Sequence, residues 1–216
     1  GPQCGRMAGP GSVTRFEVSP LGLACHSVDG PLAAGADVQG ISATGYLSLL
    51  ALLLRLGCLD ADGHFRTPAS PLARRVAPPP QQARTGLRLP LPYGQWLAAA
   101  DVEELLKVKA AFSQALEALL RAAGLAAADV ACLALAGALG EHCPPACLEE
   151  LGFLPSGMGR RVRAVGNSSL DGAALLAAEP WRLPALARWC AAATLVPVAE
   201  DPGFHADYLR HMRFGV

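Results

Sequence analysis

No membrane-length apolar run, no excess of either charge and no regular cysteine framework is found in this sequence, and each absence removes a class of function. The longest apolar stretch, LSLLALLL at 47–54, is closed by Arg55 and Gly57 and falls far short of the roughly 20 residues that span a bilayer. It reads as a buried core helix, and no membrane partner is expected. The opening residues lack the basic, then apolar, then small-residue pattern of a cleaved leader, so nothing supports secretion. Lys plus Arg (18) balance Asp plus Glu (18), which leaves no net field to draw the chain to nucleic acid. The seven cysteines, at 4, 25, 58, 132, 143, 147 and 190, are odd in number and scattered, several of them inside apolar runs where the thiol acts as a small hydrophobe. Buried thiols in a reducing cytoplasm are the expectation. Cys143 and Cys147 alone lie close together, in HCPPAC, and no second pair completes a four-ligand metal set.

What is present suits a globular protein: 216 residues with 52% apolar side chains, enough for one large core or two small ones. The chain opens on Gly1 and not on Met, so a piece of a longer protein is expected. Residues 1–40 hold two short β-like runs, 13–18 and 23–28, joined by Ser19-Pro20-Leu21-Gly22, which predicts an antiparallel hairpin with His26 as a structural residue. From Gly40 the text GISATGYLSLLALLLRLGCLDADGHF predicts a helix capped around Ser42 and Thr44, apolar almost all round, and stopped at Gly57. DADG at 60–63 resembles the start of a calcium loop, but Pro71 stands where the bidentate glutamate belongs, and a plain turn is expected. Residues 66–86 hold five prolines and four arginines without a usable period and predict a loop, with a short strand at 87–91 after it.

Asp101 then opens a long helix at 101–124 that ends at Gly124. Lys109 lies within its apolar face and has two readings, a lysine snorkelling at the edge of the stripe or a functional group. In DVACLALAGALGEHCPP at 129–145, an apolar run breaks at Gly137 and Gly140 before a new helix, the grammar of a buried strand, glycine turn and helix start. RVRAV at 161–165 runs into Gly166-Asn167-Ser168 and a second helix, and repeats that grammar about 30 residues later. Two such junctions in register on a parallel sheet place two glycine-lined helix entrances side by side, a place where nucleotides settle. The remainder predicts a helix at 180–193 with Trp181 and Trp189 as packing residues, a strand at 194–199, and an amphipathic segment at 204–214 whose His205 and His211 belong to a solvated face.

Taken in order, DVEELLKVKAAF, LALAGALGEHCPPACLEELGFLPSG and VRAVGNSSLDGAALLA resemble the C-terminal domain of the ATP-dependent reductive activators of corrinoid proteins, which are ASKHA-type ferredoxins. GISATGYLSLLALLLRLGCLDADGHF and CGRMAGPGSVTRFEV are similar to the earlier helix and lead-in of that family, so the resemblance covers nearly the whole chain. It implies an α/β fold of the actin-like ATPase, or ribonuclease H-like, kind: a half-domain with a mixed sheet and flanking helices, without its first strand. The divisions it implies are a lead-in hairpin and buried helix at 1–65, a Pro-rich loop at 66–100 and an adenosine-side core at 101–216. It also implies a function. In the family a 2Fe-2S cluster, in an N-terminal part outside this sequence, passes a low-potential electron to a cobalt(II) corrinoid protein of a methyltransferase system, driven by ATP with magnesium.

Carried over by position, Gly137 and Gly140 fall on the adenosine-motif glycines, while Ala138 replaces a glycine and Leu139 an aromatic. Gly166, Asn167 and Ser168 match the second turn, and Lys109 matches a helix lysine laid over adenine, with Leu106 where a glutamine is usual. Gly45 keeps the last glycine of the earlier motif and Ala43 replaces another. No catalytic residue and no metal ligand is assigned, because the two acidic glycine hairpins that hold phosphate and magnesium in ASKHA ATPases are not found here. The chain alone is therefore expected not to hydrolyse ATP. The expected setting is a cytoplasmic protein with the capacity to form a homodimer. The alternative is a degenerate, non-catalytic ASKHA-like binding or scaffold module; a dinucleotide dehydrogenase lacks the required glycine spacing and ribose-binding acid.

Overall fold

The computed structural model describes residues 1–84 and 86–215, with the side chains of Ala138 and Leu139 outside the description. The hairpin forms as expected. β1 (Ser12–Val13) leads into β2 (Arg15–Ser19), which pairs antiparallel with β3 (Gly22–Ser27) in the register Phe16 to Cys25 and Val18 to Leu23, and β4 (Gly30–Pro31) closes the sheet. β5 (Gly40–Ile41) returns to pair parallel with β1. His26 is structural as expected, its ring 3.1 Å from the Glu17 carboxylate across the hairpin.

Helix α1 (Ala43–Arg55) is the centre of the core. Ser42 caps it by accepting the Gly45 N–H at 3.1 Å, and Gly57, in the left-handed region, ends it with Cys58 N–H bonded back to the Leu53 carbonyl. Leu49, Leu50 and Leu53 are fully buried, each contributing about 1.5–3 kcal/mol. Gly45 is a packing glycine: a Cβ there would lie 2.4 Å from the Val13 carbonyl oxygen, so only glycine lets α1 seat against β1. Ser48, buried in the same helix, accepts the Phe16 N–H and donates to the Phe16 carbonyl, and so satisfies a backbone pair that β3 leaves unbonded. The DADG turn is plain, as expected: the Asp60 carboxylate accepts the N–H groups of Asp62 and His64 and the Arg66 guanidinium at 2.8 Å.

The strand expected at 87–91 forms, and the rest of residues 66–100 is more regular than its prolines suggest. These residues form α2 (Pro71–Val76), capped by Ser70, and an antiparallel sheet of β6 (Gln81–Ala83), β7 (Gly86–Pro90) and β8 (Trp96–Ala98). The prolines sit where they do no harm, Pro71 at the first helical position and Pro90 at a strand end.

The long helix α3 spans Ala99–Ala122. Asp101 is not its cap but a residue of its first turn, and its buried carboxylate accepts the N–H groups of Ala98 and Gln3. Beyond α3 the strands shorten. β9 (Leu133–Leu135) leads to α4 (Gly137–His142) and α5 (Pro145–Glu150); β10 (Val162–Ala164) leads to α6 (Ser168–Ala178), then α7 (Leu183–Ala192) and α8 (Phe204–His211). The strand expected to be buried at 130–136 is only three residues long and half exposed, in a sheet of two strands. The strand expected at 194–199 does not form; a 3-10 turn at Val198–Glu200 stands there. The α/β class is as expected, with the strands of the described residues divided among four small sheets.

The chain end folds back onto α3. Lys109 is fully buried, and its ammonium donates to the carbonyls of His211 (3.2 Å) and Arg213 (2.7 Å). Gln114 donates to the Phe204 carbonyl, while Glu117 accepts from Arg210 and lies 2.8 Å from the His211 ring. His211 is thus buried and paired, not part of a solvated face. Trp181 and Trp189, expected to pack, are 72% and 78% exposed, on helices without a single buried residue.

Candidate nucleotide site

β9 and β10 run parallel in the register Leu133 to Val162 and Leu135 to Ala164, so the two glycine turns at their carboxyl ends fall side by side. A hydrogen bond ties them: the Gly137 N–H donates to the Gly166 carbonyl at 2.7 Å, and the Val165 N–H donates to the Leu135 carbonyl one step below. Gly137 (φ 83°) and Gly166 (φ 63°) both adopt the left-handed backbone that a side chain disfavours. Among the described residues, chain neighbours aside, no heavy atom lies within 4 Å of where a Cβ would stand on either.

Asn167 caps α6 by accepting the Leu170 N–H, and Ser168 is the first residue of that helix, exposed. The first amides of α6 have no intrahelical acceptor and carry the positive end of the helix dipole. Gly140 differs from the other glycines. A Cβ on it would meet Leu135 at 2.6 Å, so it lets α4 pack on β9 and does not face outward. The side chain of Ala138 lies outside the described residues.

The structure brings Gly137, Gly166, Asn167 and Ser168 together. The hydrogen bonds described for Lys109 run instead to the C-terminal segment, and burial, with the Arg210 charge, lowers its pKa to about 8. A lysine snorkelling to the edge of the stripe does not describe it. No sequence signal revealed this clasp, because the carbonyls of His211 and Arg213 lie about a hundred residues away. Gly45, carried over as a motif glycine, is explained by packing on β1.

The donors at the turns, backbone N–H groups with one amide and one hydroxyl side chain, fit a nucleoside. They do not fit magnesium, since among the described residues the set of metal-type ligand atoms within 4.8 Å of one another is Asp60, Asp62 and His64, whose Asp60 already clamps its own turn. Among the described residues no three cysteines bring their sulfurs within 4.8 Å of one another.

Parallel strand–glycine–helix junctions bound to each other, a long helix packed by the chain end and a buried helix behind the N-terminal hairpin make up an α/β domain. The chain belongs to the family described as the C-terminal domain of RACo, the ASKHA domain, which matches residues 1–215. Among solved structures it is similar to one named "Reductive activator for corrinoid, iron-sulfur protein", with a TM-score of 0.83 and 22% identity over 100% of this chain. At that identity the likeness is one of fold. The match covers 34% of the other chain, so this sequence spans about a third of that protein's length. No curated protein matches it.

Proposed function

We propose that this chain forms the adenosine side of the nucleotide cleft in an ATP-dependent reductive activator of a corrinoid protein. The observation that carries the reading is the pair of glycine turns, Gly137 and Gly166, joined by their own hydrogen bond at the head of α6. An adenosine stacked there meets the backbone of the two glycines, and Asn167 and Ser168 offer it side-chain donors and acceptors. Family membership and the likeness to the solved activator support the larger role: delivery of a low-potential electron from a 2Fe-2S cluster, held outside these 216 residues, to a cobalt(II) corrinoid protein of a methyltransferase system. ATP with magnesium would supply the driving force. The residues here would bind and orient the nucleoside, and they contribute no group that activates water or carries the electron.

Two observations favour the alternative of a non-catalytic scaffold. The described hydrogen bonds of Lys109 go to the chain end, and Gly140 packs inward. Calorimetric titration of the chain with ADP separates the two. The activator reading expects micromolar binding that Gly137→Val and Gly166→Val each abolish while the fold, checked by circular dichroism, persists. Absence of ADP binding by the unmodified chain supports the scaffold. Magnesium-dependent ATP hydrolysis by the chain alone, lost in Gly137→Val, would overturn the assignment of phosphate chemistry to other parts of the protein.

A further inference from the structure

β9 and β10 are three residues each and, among the described residues, pair with each other alone. So short a parallel pair carries few ladder bonds and holds its own register weakly. The glycine turns nevertheless depend on that register. A slip of one residue, about 3.3 Å, takes the Gly166 carbonyl out of reach of the Gly137 N–H and turns the side chains of one strand to the opposite face.

The two strands are unequally anchored at their amino ends. Ahead of β10, the Gly157 and Gly159 N–H groups donate to the Glu149 carboxylate on α5 at 2.6 and 2.8 Å, and Met158 is buried in the core. Ahead of β9, no residue from 121 to 132 is buried, and Ala127 and Val130 are only half-buried. Asp129 closes its own turn there, accepting the Ala126 N–H at 2.8 Å.

Arg161 joins the anchored side to the other. It stands directly before β10, at the end of the 3-10 turn Gly159–Arg161. Its guanidinium Nη1 donates to the carbonyls of Ala127 (2.8 Å), Ala128 (3.0 Å) and Val130 (3.1 Å), in the run that leads into β9. Bonds from a charged donor are about twice as strong as neutral ones, and the last carbonyls of a helical turn suit a cation. Three acceptors within four residues on one rigid, planar group specify a single placement of the segment.

We propose that Arg161 is a positioning residue. It sets the register of β9 on β10 from their amino ends, brings Gly137 and Gly166 together about 10 Å away at the carboxyl ends, and so determines how tightly the turns hold a nucleoside. That last clause rests on the reading of the turns as a nucleoside site; the register does not. Arg161 itself touches no ligand.

The test combines amide hydrogen exchange, read by NMR, with calorimetric titration of ADP. It compares the unmodified chain with Arg161→Ala, Arg161→Lys and, as a charge control on β10, Arg163→Ala. In Arg161→Ala the Gly137 and Val165 amides, which bond across the pair, are expected to exchange about 10-fold faster or more, while those of Leu49, Leu50 and Leu53 in α1 keep their rates. ADP should weaken by a similar factor, and guanidinium ion added at low millimolar concentration should restore both. Arg161→Lys, which keeps the charge without the planar fork, should fall between, and Arg163→Ala should match the unmodified chain. Unchanged exchange at Gly137 and Val165 overturns the proposal. So does acceleration shared equally with α1, which makes Arg161 a contributor to global stability and nothing more. If Arg161→Ala does not fold, the same two amides in Arg161→Lys decide. If the unmodified chain binds no ADP while the two amides still respond, the nucleoside reading fails and the register assignment stands.

Discussion

Replacing Lys109 by Met tests the clasp between α3 and the chain end through its pH dependence. The buried ammonium has its pKa lowered from 10.5 to about 8 by burial and by the Arg210 charge. A group whose folded pKa lies below its unfolded value releases its proton first in the folded state. Between about pH 8 and pH 10.5 the unfolded chain therefore holds more protons at this site, and stability rises with pH across that window. At about 1.4 kcal/mol per pH unit the full gain is about 3 kcal/mol. Lys109→Met has no such group, so unfolding free energies of the two proteins, measured in urea from about pH 7 to about pH 10.5, should diverge by that amount in favour of the unmodified chain. The raised Cys25 and Cys143 thiols act in the opposite direction above their unfolded values, but they act equally in both proteins and cancel. The variant also leaves the His211 and Arg213 carbonyls without this donor, which adds a pH-independent offset of about 1–3 kcal/mol per acceptor and loosens α8 in hydrogen exchange. A stability difference that stays flat, or that grows toward acid, would refute the reasoning.

Four further outcomes are expected. Ser48→Ala leaves the buried Phe16 N–H and carbonyl without their shared hydroxyl and should cost about 1–3 kcal/mol in urea unfolding; a change near zero would mean that the two groups find other partners. Gly140→Ala, whose Cβ meets Leu135 at 2.6 Å, should destabilise more than Gly166→Ala, which faces open space and bears only backbone strain of about 1–2 kcal/mol; the reverse order in melting temperature contradicts the assignment of Gly140 to packing. For Glu117, burial raises the pKa, but hydrogen bonds from Arg210 and His211 and their charges outweigh it and hold the carboxyl below its ordinary value. Its contribution is present above 4.5 and fades as pH falls through the lowered value, so Glu117→Gln should be less stable than the unmodified chain at neutral pH and match it in strong acid. A thiol reagent should label the exposed Cys132 and Cys190 quickly and the buried Cys4, Cys25, Cys58 and Cys143 only on unfolding; fast labelling of Cys143 would contradict its burial.

Elements with strong local signals were legible. The Ser19-to-Gly22 turn, the Ser42 cap, the Gly57 stop and the two strand–glycine–helix junctions all depend on residues within a few positions of each other, and each stands where its signal put it. Between 66 and 100 the strand at 87–91 was legible, while the five prolines of 66–86 suppress any period and hid a helix capped at Ser70 and the strand at Gln81–Ala83. Asp101 resembles a cap in sequence, but the helix begins two residues earlier and uses the carboxylate to hold Ala98 and the lead-in residue Gln3. Periodicity gave Trp181 and Trp189 a shared helical face without saying what that face meets, and nothing among the described residues covers it. Of the candidate site, the glycine turns came from the sequence and their mutual hydrogen bond from the structure. The fate of Lys109 was invisible, since a lysine that donates to distant carbonyls leaves no pattern around itself.

The clasp also orders events in time. The acceptors of Lys109 lie 102 and 104 residues downstream, and synthesis proceeds toward them. At about 5–20 residues per second, α3 waits about 5–20 s on the ribosome with its ammonium unable to meet those carbonyls. The face of α3 that carries Lys109 therefore closes there only after residues 211–213 have been made.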